Sequence, residues 1–487
     1  MRRHKVPAAI GVAARLVLAV LVGSTLTDGV AAQVGAQADG MAVTAAAHLE
    51  GRPAPQHQSP LQARVDAAAP GARLEIAAGT YAGDLVLDRP IHLVGIGRPV
   101  LQGSRQGSVV RIRANDVTIE GFDIDGQGGG RLVEDAAGIH VAGERAVVRD
   151  NHIVRSIFGI YLREANGAIV DHNTVRGDQS KDPGDQGSAI HVWNTQKFRI
   201  TDNNVRYSRD GFYVQASGHG FIARNVASDL RYGLHYMFSD DNVFEDNTFE
   251  RGAAGAALMY SKRITFRRNQ FIHNRGFASV GLLLKACDDI LAEDNLIGDN
   301  ARGVFVEGSY RDVFRRNIIA GSDSAIVLYD SAHEIRFEDN AFYANLTPLQ
   351  LVGRRTDTVF DRNYWSESTE PDLDGDGVRD RPFRLTSVFD HLRGNLTAAD
   401  LFAESLAASA LGIAEESFPV LTPIPVLDAH PLARPPTLGD VPRPPLVPGS
   451  VARSGVFLSG VLLAAGVMLL SSSRSAPARW SALWSRS

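Results

Sequence analysis

His235 and Met237 stand two residues apart, and Met259 follows 22 residues after Met237. One imidazole and two thioethers are soft donors, and that set suits Cu(I) better than harder ions. They meet only if 235 and 237 share a strand face and if 22 residues carry the chain to the same place one layer on. The chain holds 5 Met including Met1, so two at this spacing stand out against plain packing. A second constellation runs from Asp372 to Asp380. Asp372, Asp374, Asp376 and Asp380 take positions one, three, five and nine of a calcium loop, with Gly377 at six. Position twelve is Phe383 where an EF-hand needs Glu. The loop therefore reads as a structural calcium site closed by another carboxylate, or as an acidic turn. Cys287 is the single cysteine, which excludes an intramolecular disulfide and a cysteine zinc cluster. It is either a plain turn thiol or a soft-metal ligand.

The elements that position these residues follow from a repeat. Asn recurs at 151, 173, 203, 225, 247, 269, 295, 317, 340 and 363, with gaps of 22 or 23 residues apart from one of 30 and one of 26. A fixed period in this range means stacked repeats. With short strands and turns, it predicts an all-β, right-handed parallel β-helix solenoid of about 22 residues per coil. Asn suits a stacked turn because it tolerates left-handed backbone and its amide can bond the Asn of the next coil. Eight residues after the Asn comes Gly159, Gly211, Gly233, Gly255 or Gly303, then a strand of alternating character. Its inward pairs include Phe212/Val214, Leu234/Tyr236 and Ala256/Leu258. The pairs preceding each Asn alternate in charge: Glu245-Asp246, Arg267-Arg268, Glu293-Asp294, Arg315-Arg316, Glu338-Asp339. Opposite charges then face each other between coils and favour one register.

Outward positions of that strand form two columns. One reads His140, Tyr161, His191, Tyr213, His235, Ala257, Leu283, Phe305, Val327; the other reads Arg163, Trp193, Gln215, Met237, Met259, Lys285, Glu307, Tyr329. His235, Met237 and Met259 fall together on this face, as a Cu(I) site that a partner could complete. The same aromatic strip fits a carbohydrate-binding surface equally well.

Residues 1–32 read as a signal peptide. Arg2, Arg3, His4, Lys5 and Arg15 are basic, Leu16 to Val22 is apolar, and Val30-Ala31-Ala32 offers a cleavage site. A flexible leader follows at 33–58. The solenoid is expected over 59–392, opened by a capping helix and closed by the calcium-like loop 372–383. Residues 393–449 read as a helical and Pro-rich tether. The uncharged run within 455–473 is a candidate transmembrane helix, and 474–487 is a basic tail expected in the cytoplasm. The body would then be periplasmic and anchored to the cytoplasmic membrane. The net charge of -5 gives no footing for a nucleic-acid partner.

Four segments carry a family resemblance: Gly233 to Asn247 (GLHYMFSDDNVFEDN), Ala256 to Ser261 (AALMYS), Asn363-Tyr364-Trp365, and Asp372 to Phe383 (DLDGDGVRDRPF). Over roughly residues 60–392 the chain resembles the NosD family of periplasmic proteins that mature nitrous oxide reductase. The resemblance implies four partners: the ATPase and membrane subunit of an ABC transporter, a copper chaperone, and nitrous oxide reductase. It implies transient Cu(I) and a role in assembling a copper–sulfur site, without enzymatic activity of its own. The alternative is a polysaccharide lyase, hydrolase or epimerase. Glu307 is the lone acid of the outward columns, but the loop carboxylates Asp178, Asp182 and Asp185 keep that chemistry open. A purely structural or adhesive solenoid is the third reading.

Overall fold

Each Asn of the repeat sits at a sharp corner between two short strands, and the corners stack. In a computed structural model, described over residues 59–276, 278–396, 399, 405–417 and 425–436, the chain winds through three sheets of 15, 13 and 12 strands, parallel except where Phe383–Arg384 meets Leu427–Asp428. The result is a parallel β-solenoid of the right-handed type. Coil-to-coil pairing is in register, for example Phe244 with Phe266 and Phe249 with Phe271. The core is narrow and continuous. Phe212, Phe244, Phe249, Phe266, Phe271, Phe314, Phe337 and Phe342 are all at most 1% exposed. Many stack on their neighbours one coil away, with ring centroids 4.9 Å apart for Phe244–Phe266 and 4.5 Å for Phe314–Phe337.

The corner geometry corrects one detail of the sequence reading. The left-handed residue is the one before each Asn: Asp246, Arg268, Asp294 and Arg316 have φ of 55°, 54°, 56° and 51°. The Asn itself supplies the amide ladder. Asn225 donates through Nδ2 to Ile200 O (2.9 Å), Ala223 O (3.0 Å) and Asn247 Oδ1 (2.9 Å). Its backbone N–H also donates to Asn247 Oδ1 (3.0 Å). The pattern repeats from Asn151 to Asn363.

Both ends are covered. Helix α1 (Pro60–Ala67) starts on a Ser59 cap and buries Leu61 and Val65. Gln62 from this helix exchanges hydrogen bonds with Val86 N and O (2.8 and 3.0 Å), closing the exposed edge of the first coil. At the far end, helix α2 (Val388–Asn395) carries a Ser387/Asp390 capping box. It lies on the last long strand, Thr347–Val352, where Gln350 donates to Arg393 O (3.0 Å). Helix α3 (Leu406–Ser417) reaches back through Glu415, which accepts from Val388 N (2.8 Å). Within the segment read as a tether, Leu427–Asp428 returns to the stack as a final strand. Asp428 Oδ2 then ends the Asn ladder, accepting from Asn363 N and Nδ2 (both 3.0 Å) and from Trp365 Nε1 (2.9 Å).

Among the described residues, no helix is long and apolar enough to cross a membrane. The signal segment 1–32, the leader 33–58, the candidate span 455–473 and the tail 474–487 lie outside the described residues.

The alternating charges pair between coils as the sequence spacing predicts. Arg268 binds Asp246, and Arg316 binds Asp294, at 2.8 and 2.9 Å. Glu293 is the most enclosed of them, with a side chain 4% exposed. It takes Arg267 from one neighbouring coil (2.6 Å) and Arg315 and Arg316 from the other (2.7 and 2.8 Å). Burial opposes its ionisation, but those guanidinium hydrogen bonds prevail and bring its carboxyl from 4.5 to about 2. Because the folded value is depressed, the stabilisation is complete above 4.5 and fades as pH falls through about 2. Replacing Glu293 with Gln should therefore cost about 3 kcal/mol at neutral pH. Urea denaturation checks this: the gap between native chain and variant should hold down to about pH 5 and narrow below it.

Candidate functional site

The outward face of the 12-stranded sheet brings the predicted copper ligands together. Inward Leu234 and Tyr236 are fully buried, so His235 and Met237 alternate onto the opposite face of strand Tyr232–Met237. Met237 pairs directly with Met259 on the next coil, and Gln215 and Lys285 continue the column. Neighbouring strands stand about 4.8 Å apart, a separation two thioethers can bridge. His235, Met237 and Met259 are each partly exposed.

One ring breaks the order of this face. His140, Tyr161, His191 and Tyr213 stack nearly flat, with centroids 5.2, 4.4 and 4.6 Å apart and interplanar angles of 12°, 16° and 15°. His235 is turned edge-on to Tyr213, at 83°. The cause is Asp210, whose side chain is fully buried and whose Oδ2 lies 3.3 Å from His235 Nδ1. Arg231 clamps the same carboxylate through Nε and Nη2, at 2.8 and 2.7 Å. Burial works against the Asp210 charge, but the hydrogen bonds from His235 and Arg231 hold the carboxyl well below its ordinary range. The Asp210 carboxylate thus engages the Nδ1 side of the ring, and no hydrogen bond to Nε2 is made among the described residues. A carboxylate behind an imidazole is the usual way to orient a metal-binding His. Met237 Sδ also lies 3.8 Å from Tyr213 Oη. By contrast, burial lowers His191 to about 3, and its Nδ1 lies 3.1 Å from Ser188 Oγ.

Asp210 and Arg231 escaped the sequence reading. The available signal was a charged residue directly before the strand glycine Gly211, where the matching positions of the neighbouring coils hold Ser188 and Tyr232.

The acidic loop is built as a compact turn. Carboxylate oxygens of Asp372, Asp374 and Asp376 lie within 4.8 Å of one another. Asp372 accepts from Gly375 N and Gly377 N (2.8 and 3.1 Å). Asp380 faces the loop backbone, accepting from Leu373 N (2.7 Å). Val378 and Tyr364 both bridge to Leu432, so the loop closes the C-terminal end of the stack. A further grouping, Asp171, His172 and Asp202, is occupied by internal bonds: Arg224 grips Asp202 and Thr201 donates to Asp171.

Three of the carboxylates that kept sugar chemistry open have partners of their own, while Asp185 is exposed. Glu307 pairs with Lys285 at 3.4 Å. Asp178 is buried and holds Ser180 N and Oγ at 3.1 and 2.6 Å. Asp182 caps the Pro183–Asp185 turn through Gly184 N (2.8 Å).

Fold and face together define a parallel β-helix protein with an ordered, soft-donor patch on one sheet. Residues 172–373 match the family model described as "Periplasmic copper-binding protein (NosD)". The "Probable ABC transporter binding protein NosD" of Pseudomonas aeruginosa is 31% identical over 395 residues, covering 76% of this chain and 90% of that protein. The protein of the same name from Stutzerimonas stutzeri is 29% identical, covering 75% and 87%. The chain belongs to the NosD family. Among solved structures, the A-module of the mannuronan C-5 epimerase AlgE6 from Azotobacter vinelandii aligns with a TM-score of 0.51 at 14% identity, over 61% of this chain and 92% of that one. That likeness concerns the fold alone.

Cys287 is explained by a second ladder that the sequence reading missed. Thr195, Ser217, Ser239, Ser261, Cys287 and Ser309 occupy one buried internal column. Thr195 N, Ser217 N and Ser239 N each donate to the hydroxyl of the next coil at 3.0–3.2 Å, and Cys287 N does so to Ser309 Oγ (3.1 Å). The thiol is a serine substitute facing the core, so the soft-metal reading fails. Burial pushes it up to about 12. Native protein should not react with an aromatic disulfide reagent at neutral pH, and urea-unfolded protein should react fully. Cys287→Ser should change stability by less than about 1 kcal/mol, since the hydroxyl can donate to Lys285 O as its ladder neighbours do to theirs.

Proposed function

We propose that this chain is a periplasmic, non-enzymatic copper-handling protein that serves an ABC transporter. In this reading it accepts Cu(I) from a copper chaperone and supports assembly of the copper–sulfur site of nitrous oxide reductase. Copper is the cargo, held in transit. The family description and the names of the two relatives support the periplasmic, copper and transporter parts of the reading. The observation that carries it is the rotated imidazole of His235, fixed by buried Asp210 beside the in-register pair Met237 and Met259.

Two thioethers and one imidazole bind Cu(I) without competing strongly for the harder divalent ions of the envelope. Three donors on a flat sheet leave one side of the ion open, as a transfer site requires. Phe238 and Tyr260 follow the two Met residues, stack on each other at 5.1 Å, and are 54% and 44% exposed. They give the patch an apolar rim for a partner to cover. The loop bearing Asp372, Asp374, Asp376 and Asp380 is assigned to calcium with a structural role at the end of the solenoid. Residues 1–32 would direct export, and 455–473 would hold the body at the membrane.

The test uses Cu(I) competition against a chromophoric chelator, alongside reductase maturation in cells. Met237→Leu combined with Met259→Leu keeps volume nearly constant and should leave the fold intact. It should abolish competitive Cu(I) binding and stop maturation. Asp210→Asn should weaken Cu(I) binding by roughly 10–100-fold, the usual cost of losing an orienting carboxylate. Full copper retention and a fully matured reductase in the double Met variant would make these residues packing.

A further inference from the structure

A polar groove of about 540 Å³ lies at the corner between the 13-stranded and 12-stranded sheets, lined from four successive coils. Its last wall precedes strand Ser188–Trp193, two strands before the one that carries His235. It is separate from the copper face, and nothing in the copper reading uses it.

The groove is preformed. One wall is the loop Gly126-Gln127-Gly128-Gly129-Gly130, tied to the coils on both sides. Gly128 N donates to Arg155 O (2.8 Å) and Gly130 N to Arg105 O (3.1 Å). The contact at Gly129 is close: a Cβ there would lie 2.2 Å from Arg105 Cα, so only glycine lets the loop seat. The opposite wall is the insertion that begins at Asp178. Gln186, 3% exposed, accepts from Asp178 N at 2.9 Å, and Lys181 N donates to Asp178 O at 3.0 Å.

The charges are unevenly satisfied. Asp125 and Asp178 are 9% and 8% exposed. Asp125 is gripped by Arg155 through two guanidinium nitrogens. Asp178 accepts from Ser180 N and Oγ, and its carboxyl is lowered by those bonds, with Lys181 adding a smaller effect. Arg105 and Lys181 line the same groove. Among the described residues neither side chain donates a hydrogen bond or closes an ion pair. Three cations against two carboxylates leave a net positive charge, in a space well above the size of a single water or halide and within the range of small-ligand sites.

We propose that this groove binds a small organic oxyanion, its charged end held between Arg105 and Lys181 and its hydroxyl groups met by Gln102, Gln127 and Ser180. Guanidinium and ammonium donors lining one groove recognise carboxylate and phosphate alike. The two sources of that chemistry are a polycarboxylate and a phosphate ester.

Calorimetric titration of the full chain with citrate and with glycerol phosphate, at constant ionic strength set by chloride, tests this. Binding of either should be saturable, and the tighter arm names the anion. Arg105→Gln with Lys181→Gln keeps the side-chain stems and should weaken that arm by at least roughly tenfold. Arg354→Ala with Arg355→Ala removes the same charge from an exposed site elsewhere and should leave binding unchanged. Circular dichroism confirms that both variants are folded. Absence of saturable binding in both arms overturns the proposal, as does an equal loss in the two charge variants. Cu(I) binding, measured on the Arg105/Lys181 variant, should be untouched, so the copper reading stands or falls on its own.

Discussion

The Asn amide ladder is the interaction on which the rest of this molecule depends. Each corner requires a left-handed non-glycine residue, at a cost of about 1 kcal/mol or more per coil. Each also leaves backbone groups turned into the core with no strand partner. One buried Asn satisfies them: Asn247 accepts from Asn225 N and Nδ2 and donates to Ile222 O and Asn269 Oδ1. A buried polar group left without a partner costs about 1–3 kcal/mol, so every rung offsets its own strain only if the next rung is present. That dependence makes the stack cooperative along its length. It also explains why Asp428 must return from a distant segment to accept from Asn363.

A strict ladder turns sequence period into spatial columns, and the candidate site follows from that. Tyr161, His191, Tyr213 and His235 are paired residue for residue. In such a column the default for aromatic rings is flat stacking, which His140 through Tyr213 obey. His235 departs from it because a buried, doubly clamped carboxylate competes for Nδ1. Burying Asp210 is expensive unless it is fully bonded. The fold carries that charge, and the result is an imidazole turned edge-on to Tyr213, on the same outward face as Met237 and Met259. Charge ladders such as Arg267–Glu293–Arg315 secure the register that keeps Met237 opposite Met259.

Much of this was legible in the sequence, because a solenoid is nearly one-dimensional and contacts lie one period apart. The coil length, the inward pairs, the outward columns and the alternating charge pairs all follow from spacing. What was not legible arises where the period is broken or where polar groups are internal. Asp428 lies 65 residues from Asn363, so no repeat points to it. The Thr–Ser–Cys column faces inward at a corner, where polar residues read as ordinary turn, and Cys287 was accordingly open to a metal role. Asp210 and Arg231 bear on the candidate site through His235, and pattern alone does not separate an orienting carboxylate from a turn charge. The groove lined by Arg105 and Lys181 is built from loops of several successive coils, outside the repeat.

Copper X-ray absorption of the Cu(I)-loaded full chain reads the donors of the proposed outward-face site directly. The site described here predicts two sulfur scatterers and one imidazole nitrogen in the first shell, with the sulfur signal lost when Met237 and Met259 are both Leu. A first shell of nitrogen and oxygen alone, or a sulfur signal that survives that double substitution, would contradict it.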